Sequence, residues 1–245
     1  MDSDIGRFIL SIPPVTLFLL SSTLFISIAP LLGIARASQL VNIWPYTLKG
    51  QLWRLFTGFF YVGGGLNLVI SLFSLYRFSY GIETAYFIGN IPEYSFFLVF
   101  NAGIILFLSY FISSISYFTA LNLSICYFWS QRNLNTITNL WFFRIKGRYL
   151  PFSMLLLSFF MGGLFSVMQD ACGLLSAHLY EFLTNILPSS GGPRLTVPRW
   201  FINLFPLETP RIIRRPFGVL FNNQRNVQNL PPMKSAFKGK GHKLY

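Results

Sequence analysis

"YLPFSMLLLSFFMGGLFSVMQDACGLLSAHLYEFLTNILP", residues 149–188, is the stretch whose reading decides the fold. Its apolar residues run on without alternating with polar ones, a pattern that favours helix over strand. A bilayer core of about 30 Å needs roughly 20 apolar residues in a helix, and only helices or closed barrels satisfy their backbone in lipid. The stretch therefore reads as two consecutive spans, 152–169 and 171–188. On its N-terminal side lie four more runs, 15–34, 56–76, 94–113 and 117–130, which makes six spans. Two are short: at 1.5 Å per residue, 117–130 covers about 21 Å and 152–169 about 27 Å. Short helices thin the bilayer around them.

Composition agrees with an all-α membrane protein, since 53% of the 245 residues are hydrophobic and 11% charged, against about 25% charged in soluble domains. At the start of the chain, Ala35 and Ala37 resemble a leader-cleavage site, yet Asp2 and Asp4 oppose Arg7 and the apolar run is long. A retained helix is expected there.

Charge gives the orientation. Six spans put both termini on one side, together with loops 77–93 and 131–149. That side receives Arg7, Arg77, Arg132, Arg144, Lys146, Arg148 and ten Lys/Arg beyond residue 188, whereas the other receives Arg36, Lys49 and Arg54. Lys and Arg accumulate on the cytosolic side, so both termini are expected in the cytosol. The first far-side loop carries Trp44, Tyr46 and Trp53, aromatics that favour the headgroup level. "YVGGGLN" (61–67) and "FFMGGLF" (159–165) place glycines inside spans two and five, which permits close packing or local unwinding.

After Pro188, "PSSGGPRLTVP" reads as a linker. Residues 1–190 thus form the membrane domain and 191–245 a cytosolic tail. The tail is expected to be mostly disordered beyond a short amphipathic surface element at 197–205.

Conventional site chemistry is sparse. Cys126 and Cys172 with only His178 and His242 give no metal-ligand cluster, and both cysteines read as small buried residues. No phosphate-binding glycine loop is present, so neither cofactor nor metal is expected. Intramembrane polar candidates are Asn67, Asn101, Asn122, His178 and Glu181. Glu181 is the one acid inside an assigned span, which argues against a small-solute transporter coupled to ions, because coupling wants paired acids and bases. A serine nucleophile with His178 as base would need a glycine-flanked serine in span four. That span reads "YFTALNLSICYFWS", and its Ser124 lies between Leu123 and Ile125. No catalytic residue is assigned. An intramembrane serine protease and a transporter stay as the alternatives.

Five stretches in register carry a resemblance: "QLWRLFTGFF" (51–60), "RFSYGIETAYFIGNIPEY" (77–94), "YFWSQRNLN" (127–135), "YLPFSMLLLSFFMGG" (149–163) and "GLLSAHLYEFLTNILP" (173–188). Their order and spacing resemble the Derlins, rhomboid-like pseudoproteases of the endoplasmic reticulum, over roughly residues 10–205. The resemblance implies a six-helix rhomboid-like bundle. Trp53 and Arg54 match the family's tryptophan–arginine pair, whose cation is expected to find phosphate at the interface. Gly173 matches the first glycine of a G-x-x-x-G on helix six, where Ala177 replaces the second, and His178 matches the histidine that follows. In "WSQRNL", Gln131 and Leu134 depart from the family's W-S-R-R-N-P, while Arg132 and Asn133 remain.

"FKGKGHKL" (237–244) fits F-x-G-x-G-x-x-L, which resembles the SHP box that binds an AAA ATPase of the valosin-containing-protein type. Phe237 and Leu244 would be its apolar anchors, and Gly239 and Gly241 would let the strand lie close to the partner. A basic tail held near anionic lipid is the plainer alternative. The resemblance further implies a non-enzymatic factor that returns misfolded clients from the endoplasmic reticulum to the cytosol for degradation. It would work with a membrane ubiquitin ligase, as a homo- or hetero-oligomer, and without nucleic acid. Its lateral opening would lie between helices two and five, with Asn67, Asn101 and His178 as possible cavity-lining groups. The expected location is the endoplasmic reticulum membrane, or alternatively the envelope of a complex plastid.

Overall fold

The computed structural model describes residues 11–88, 90–113, 115–140, 143–193, 195–205, 211–215 and 218–222. The bundle is built from α1 (Pro14–Ile28), α5 (Leu66–Ala85), α6 (Ile91–Ile112), α7 (Phe118–Arg132) and the long run α8 (Leu150–Glu181). Three short helices, α2 (Ala37–Leu40), α3 (Trp44–Thr47) and α4 (Trp53–Thr57), form the far-side loop after α1. Helix α8 is two helices in one: Gly163, at φ 69° and ψ −163°, has non-helical backbone and separates a first arm, 150–162, from a second, 164–181. The six spans expected from the apolar runs are thus present as α1, α5, α6, α7 and the two arms.

Two boundaries are corrected. The second span, placed at 56–76, is Leu66–Ala85, because Gly65 at φ 71° starts the helix and the residues before it turn instead of spanning. The junction placed at 169/171 is at Gly163, so the first arm is shorter than read, and Asp170 lies within the second arm. In both places the glycines end helices and do not lie inside them. By rise per residue, α1 and α7 are about 22 Å long and the first arm about 20 Å, all below the bilayer core.

Helix α7 is the hub, packing on α5, α6 and both the 147–149 turn and α8, while α1 packs on α5 and α6. At its end lies an aromatic cluster: Phe128 stacks on Phe87 at 5.6 Å between ring centroids and meets Phe97 at 4.6 Å, and Phe97 meets Tyr180 at 5.0 Å. Such pairs add to the area they bury. Cys126 and Cys172 are both free and buried, as read from the sequence.

Between α7 and α8 lies an antiparallel hairpin of β1 (Ile137–Leu140) and β2 (Phe143–Lys146), which the apolar pattern did not signal. Arg77 on α5 donates to the buried Thr138 hydroxyl and docks the hairpin. Past residue 190 the chain stays on the bundle: Leu195 N–H donates to Leu183 O at 3.2 Å. In α9 (Arg199–Ile202), Phe201 lies 5.6 Å from Phe96 of α6. Strands β3 (Arg211–Arg215) and β4 (Gly218–Asn222) pair antiparallel. The SHP-like box, 237–244, lies outside the described residues.

Helix α1 begins at Pro14 with no side-chain cap from its own sequence. Its free N–H groups are satisfied from a distance by Glu83 of α5, which is 1% exposed. Val15 N–H donates to Oε1 at 3.0 Å and Thr16 N–H to Oε2 at 2.7 Å. Thr16 Oγ1 also donates to Oε2 at 2.7 Å. Thr16 and Tyr94 each share a hydrogen bond with Ser79, at 2.8 and 2.7 Å. A carboxylate at a helix N-terminus also meets the positive end of the helix dipole. Replacing Glu83 by Ala would leave buried donors unpaired at about 1–3 kcal/mol each. Glu83→Ala should therefore unfold at lower temperature in detergent by several degrees, with Glu83→Gln intermediate; an unchanged melting curve would show that α1 is held by packing alone.

Candidate functional site

The intramembrane polar groups pair helix with helix. The fully buried Asn101 on α6 donates through Nδ2 to Phe97 O at 2.7 Å and accepts from Ser176 Oγ on the second arm at 2.8 Å. Asn122 on α7 donates to Ser74 Oγ on α5 at 3.1 Å, and its buried Oδ1 has no protein partner. Asn101 is thus a helix-pairing group and not the cavity lining considered from the sequence. Asn67 sits exposed on the first turn of α5 and donates to Val62 O at 3.2 Å, bracing the preceding loop.

At the level of Gly173 the helices touch backbone to backbone. A Cβ built on Gly173 would lie 1.9 Å from Ala120 O of α7, so no larger residue fits. Ala177, one turn on, is fully buried. The small-x-x-x-small face assigned to Gly173 and Ala177 is therefore the α7–α8 contact itself.

His178 lies on the next turn. Its Nδ1 shares a hydrogen bond with Tyr127 OH at 2.7 Å, whereas the buried Ser124 hydroxyl donates to Leu121 O of its own helix at 2.7 Å. The two side chains that a serine protease would have to couple are each engaged elsewhere. His178, exposed on α8, is thus a hydrogen-bond partner of Tyr127.

Two acids inside helices escaped the reading that gave Glu181 alone. One is Glu83, described above. The other is Asp170, 4% exposed on the second arm. Its Oδ2 accepts from Ser158 of the first arm across the Gly163 break, and its Oδ1 is buried without a protein partner. Neighbouring Gln169 donates to Ser116 O, tying the second arm to the loop before α7. Glu181 pairs with Arg132 at 3.0 Å. The Arg132 guanidinium lies 3.4 Å from the Phe128 ring and 3.8 Å from Tyr86, a cation–π sandwich. Asn133 braces the same turn by donating to Trp129 O at 3.0 Å. The turn built on Arg132 and Asn133 is therefore intact despite Gln131 and Leu134.

On the far side, Trp53 is 55% exposed while adjacent Arg54 is only 6% exposed. Arg54 Nε donates to Gln51 Oε1 at 2.6 Å, and Nη1 donates to Ser38 O and to Val41 O at 3.0 Å. One guanidinium thus fastens α4 to the α2 segment. Asn42 continues the staple, donating to Tyr117 OH and accepting from Thr47 Oγ1 at 2.5 Å. Arg54 does not project freely toward phosphate, as its interfacial position had suggested.

Little contact joins α5 to either arm of α8. Val69 and Phe73 of α5, and Phe152, Leu156 and Phe159 of the first arm, are exposed apolar side chains, whereas Ser74 of α5 and Asn122 of α7 are buried. The two elements are thus loosely packed on each other.

The model of the Der1-like family matches residues 12–199. The chain belongs to this family, the Derlins. Human Derlin-1 is 32% identical over 213 residues, 83% of this chain and 84% of its own. A derlin-like protein of Schizosaccharomyces pombe is 32% identical over 194 residues, covering 75% and 85% of the two chains. Derlin-1 of Arabidopsis thaliana is 30% identical over 204 residues, covering 81% and 76%. The Derlin match takes in the six helices and their polar pairs, and it ends before the SHP-like box.

Because the Gly173 contact is backbone to backbone, Gly173→Ala should cost about 1–3 kcal/mol through overpacking. In detergent this should lower the thermal midpoint, while Ala177→Gly changes it much less. Equal effects at the two positions would show that the close approach is not centred on Gly173.

Proposed function

We propose that this Derlin is a non-catalytic factor for moving misfolded polypeptides from the endoplasmic reticulum to the cytosol. The observation that carries the reading is the sparse contact between α5 and α8, in a bundle whose α1, α7 and first arm are each shorter than a bilayer core is thick. An unsatisfied backbone group in hydrocarbon costs several kcal/mol, so an extended chain crosses a full bilayer only against a large barrier. Helices of about 20–22 Å draw the two leaflets together. The loose packing of α5 on α8 then gives a crossing client room to pass.

Directional force has to come from outside, since the chain has no nucleotide-binding loop. The SHP-like box at Phe237, Gly239, Gly241 and Leu244 is the feature suited to recruiting an AAA ATPase of the valosin-containing-protein type. This requires both termini to be cytosolic, in keeping with the Lys/Arg distribution. A membrane ubiquitin ligase and further Derlin copies are the partners this role calls for. The endoplasmic reticulum is the membrane it calls for, and the membranes derived from it are the second possibility.

The test has two arms. A peptide of residues 230–245 should capture the amino-terminal domain of the ATPase, and Phe237→Ala or Leu244→Ala should each weaken capture by about tenfold or more; undiminished capture by both would remove the ATPase from the account. In cells depleted of their own Derlins, the full chain should restore degradation of a glycosylated luminal client. The same chain lacking residues 230–245 should insert normally but fail to restore it. A glycosylation tag after Tyr245 that becomes modified would place the tail in the lumen and overturn the reading.

A further inference from the structure

Asp170 is a buried acid for which this chain supplies no cation. Glu83 caps α1 and Glu181 pairs with Arg132. Asp170, 4% exposed, holds Ser158 on Oδ2, and its Oδ1 is buried without a protein partner. Residues 8–35, 78–131 and 149–193 contain no Lys or Arg, so α1, α6, either arm of α8 and all of α7 before its last residue lack a counter-charge. Arg77 of α5 is held at the hairpin. A buried charge without a counter-charge is strongly unfavourable, and an acid inside a membrane ordinarily faces a partner or a pathway.

The carboxyl lies close to the surface of the bundle. Thr119, exposed on the first turn of α7, is a second polar neighbour. The first arm covers the acid lightly: Leu150 and Pro151 are buried at the start of the arm, whereas no residue of 152–162 is. By rise per residue, Asp170 stands about 10 Å along the second arm from the Gly163 break, in the half of the span nearer that break.

We propose that Asp170 receives the Lys or Arg side chain of a client's transmembrane helix. The proposal rests on the retrotranslocation reading and names a client class for it: membrane-spanning subunits whose basic residue within the bilayer has lost its own partner. In an assembled complex such a residue pairs with a group on a neighbouring helix. An orphan subunit presents it to lipid, where an unpaired acid can recognise it. The ammonium or guanidinium brings both the N–H donors that Oδ1 lacks and the charge that Asp170 lacks, in a hydrogen bond about twice as strong as a neutral one. Because Ser158 is on Oδ2, the client's cation binds at Oδ1 without breaking the bond between the two arms.

The test uses the full chain in phosphatidylcholine nanodiscs and a photoreactive leucine-rich helix of about 20 residues bearing one Lys about 10 Å from its end. Unlabelled helices with Lys, Leu or Gln at that position compete for crosslinking. The Lys helix should compete at a concentration about tenfold or more below the Leu helix. Asp170→Asn keeps an acceptor for Ser158 but removes the charge. It should melt as the parent does and bring the Lys and Leu helices within about twofold of each other, while Asp170→Glu keeps the preference. Equal competition by the Lys and Leu helices at the unmodified chain would overturn the site, whether or not the variants fold. A Gln helix as potent as the Lys helix would overturn the charge pairing. In cells depleted of their own Derlins, Asp170→Asn should slow degradation of a membrane client bearing such a Lys and leave the luminal client unaffected. If the parent chain restores the luminal client while the Lys confers no advantage, the client class falls and the retrotranslocation role stands; if it restores neither client, the role itself falls.

Discussion

The structure depends on the approach of α7 to the second arm of α8, where a glycine stands against a carbonyl. In hydrocarbon, burial of apolar surface does not drive helices together, because lipid tails are as apolar as leucine. Association must come from close packing and from hydrogen bonds between helices. Gly173 supplies the first by letting Ala120 of α7 sit directly on it. Ser176, one turn on, supplies the second through Asn101 of α6. With α7 held there, α5 and α6 can pack around it, and the aromatic cluster about Phe128 closes the end of the bundle. Little contact joins α5 to α8, so these two stay loosely packed.

Polar groups in this protein act mainly as fasteners. Glu83 caps a helix that brings no cap of its own, Arg54 gathers the far-side loop, and Arg132 with Glu181 closes the turn after α7. Each joins segments far apart in the chain. Among the described residues the exceptions include the buried oxygens of Ser109, Asn122 and Asp170, which no protein group satisfies. These are the places within the membrane where a polar visitor would gain most.

Much of this was legible in the sequence. The count and order of the helices followed from the apolar runs, and the small-residue face at Gly173 followed from its resemblance to the Derlins. The boundaries at 56–76 and at 169/171 were misplaced because hydrophobicity is continuous across Gly65 and Gly163. What ends the helices there is a positive φ, which composition does not reveal. Glu83 was invisible as a cap because it fell in what read as a loop, 77–93, and its partner Thr16 lies 67 residues away. Asp170 fell in the gap between two assigned spans. The contacts of Arg54 and His178 were not legible, since burial and partner choice emerge only once the loop and helices are assembled.

The break at Gly163 also bears on how the chain enters the membrane during synthesis. A first arm of about 13 residues falls short of the roughly 17 that a helix needs to span alone, so it is a poor independent insertion signal. The second arm carries a carboxylate that would be costly to insert without its partner. Paired as a hairpin, with Ser158 against Asp170, the arms remedy each other's defect. The two arms are thus suited to enter the membrane as a pair.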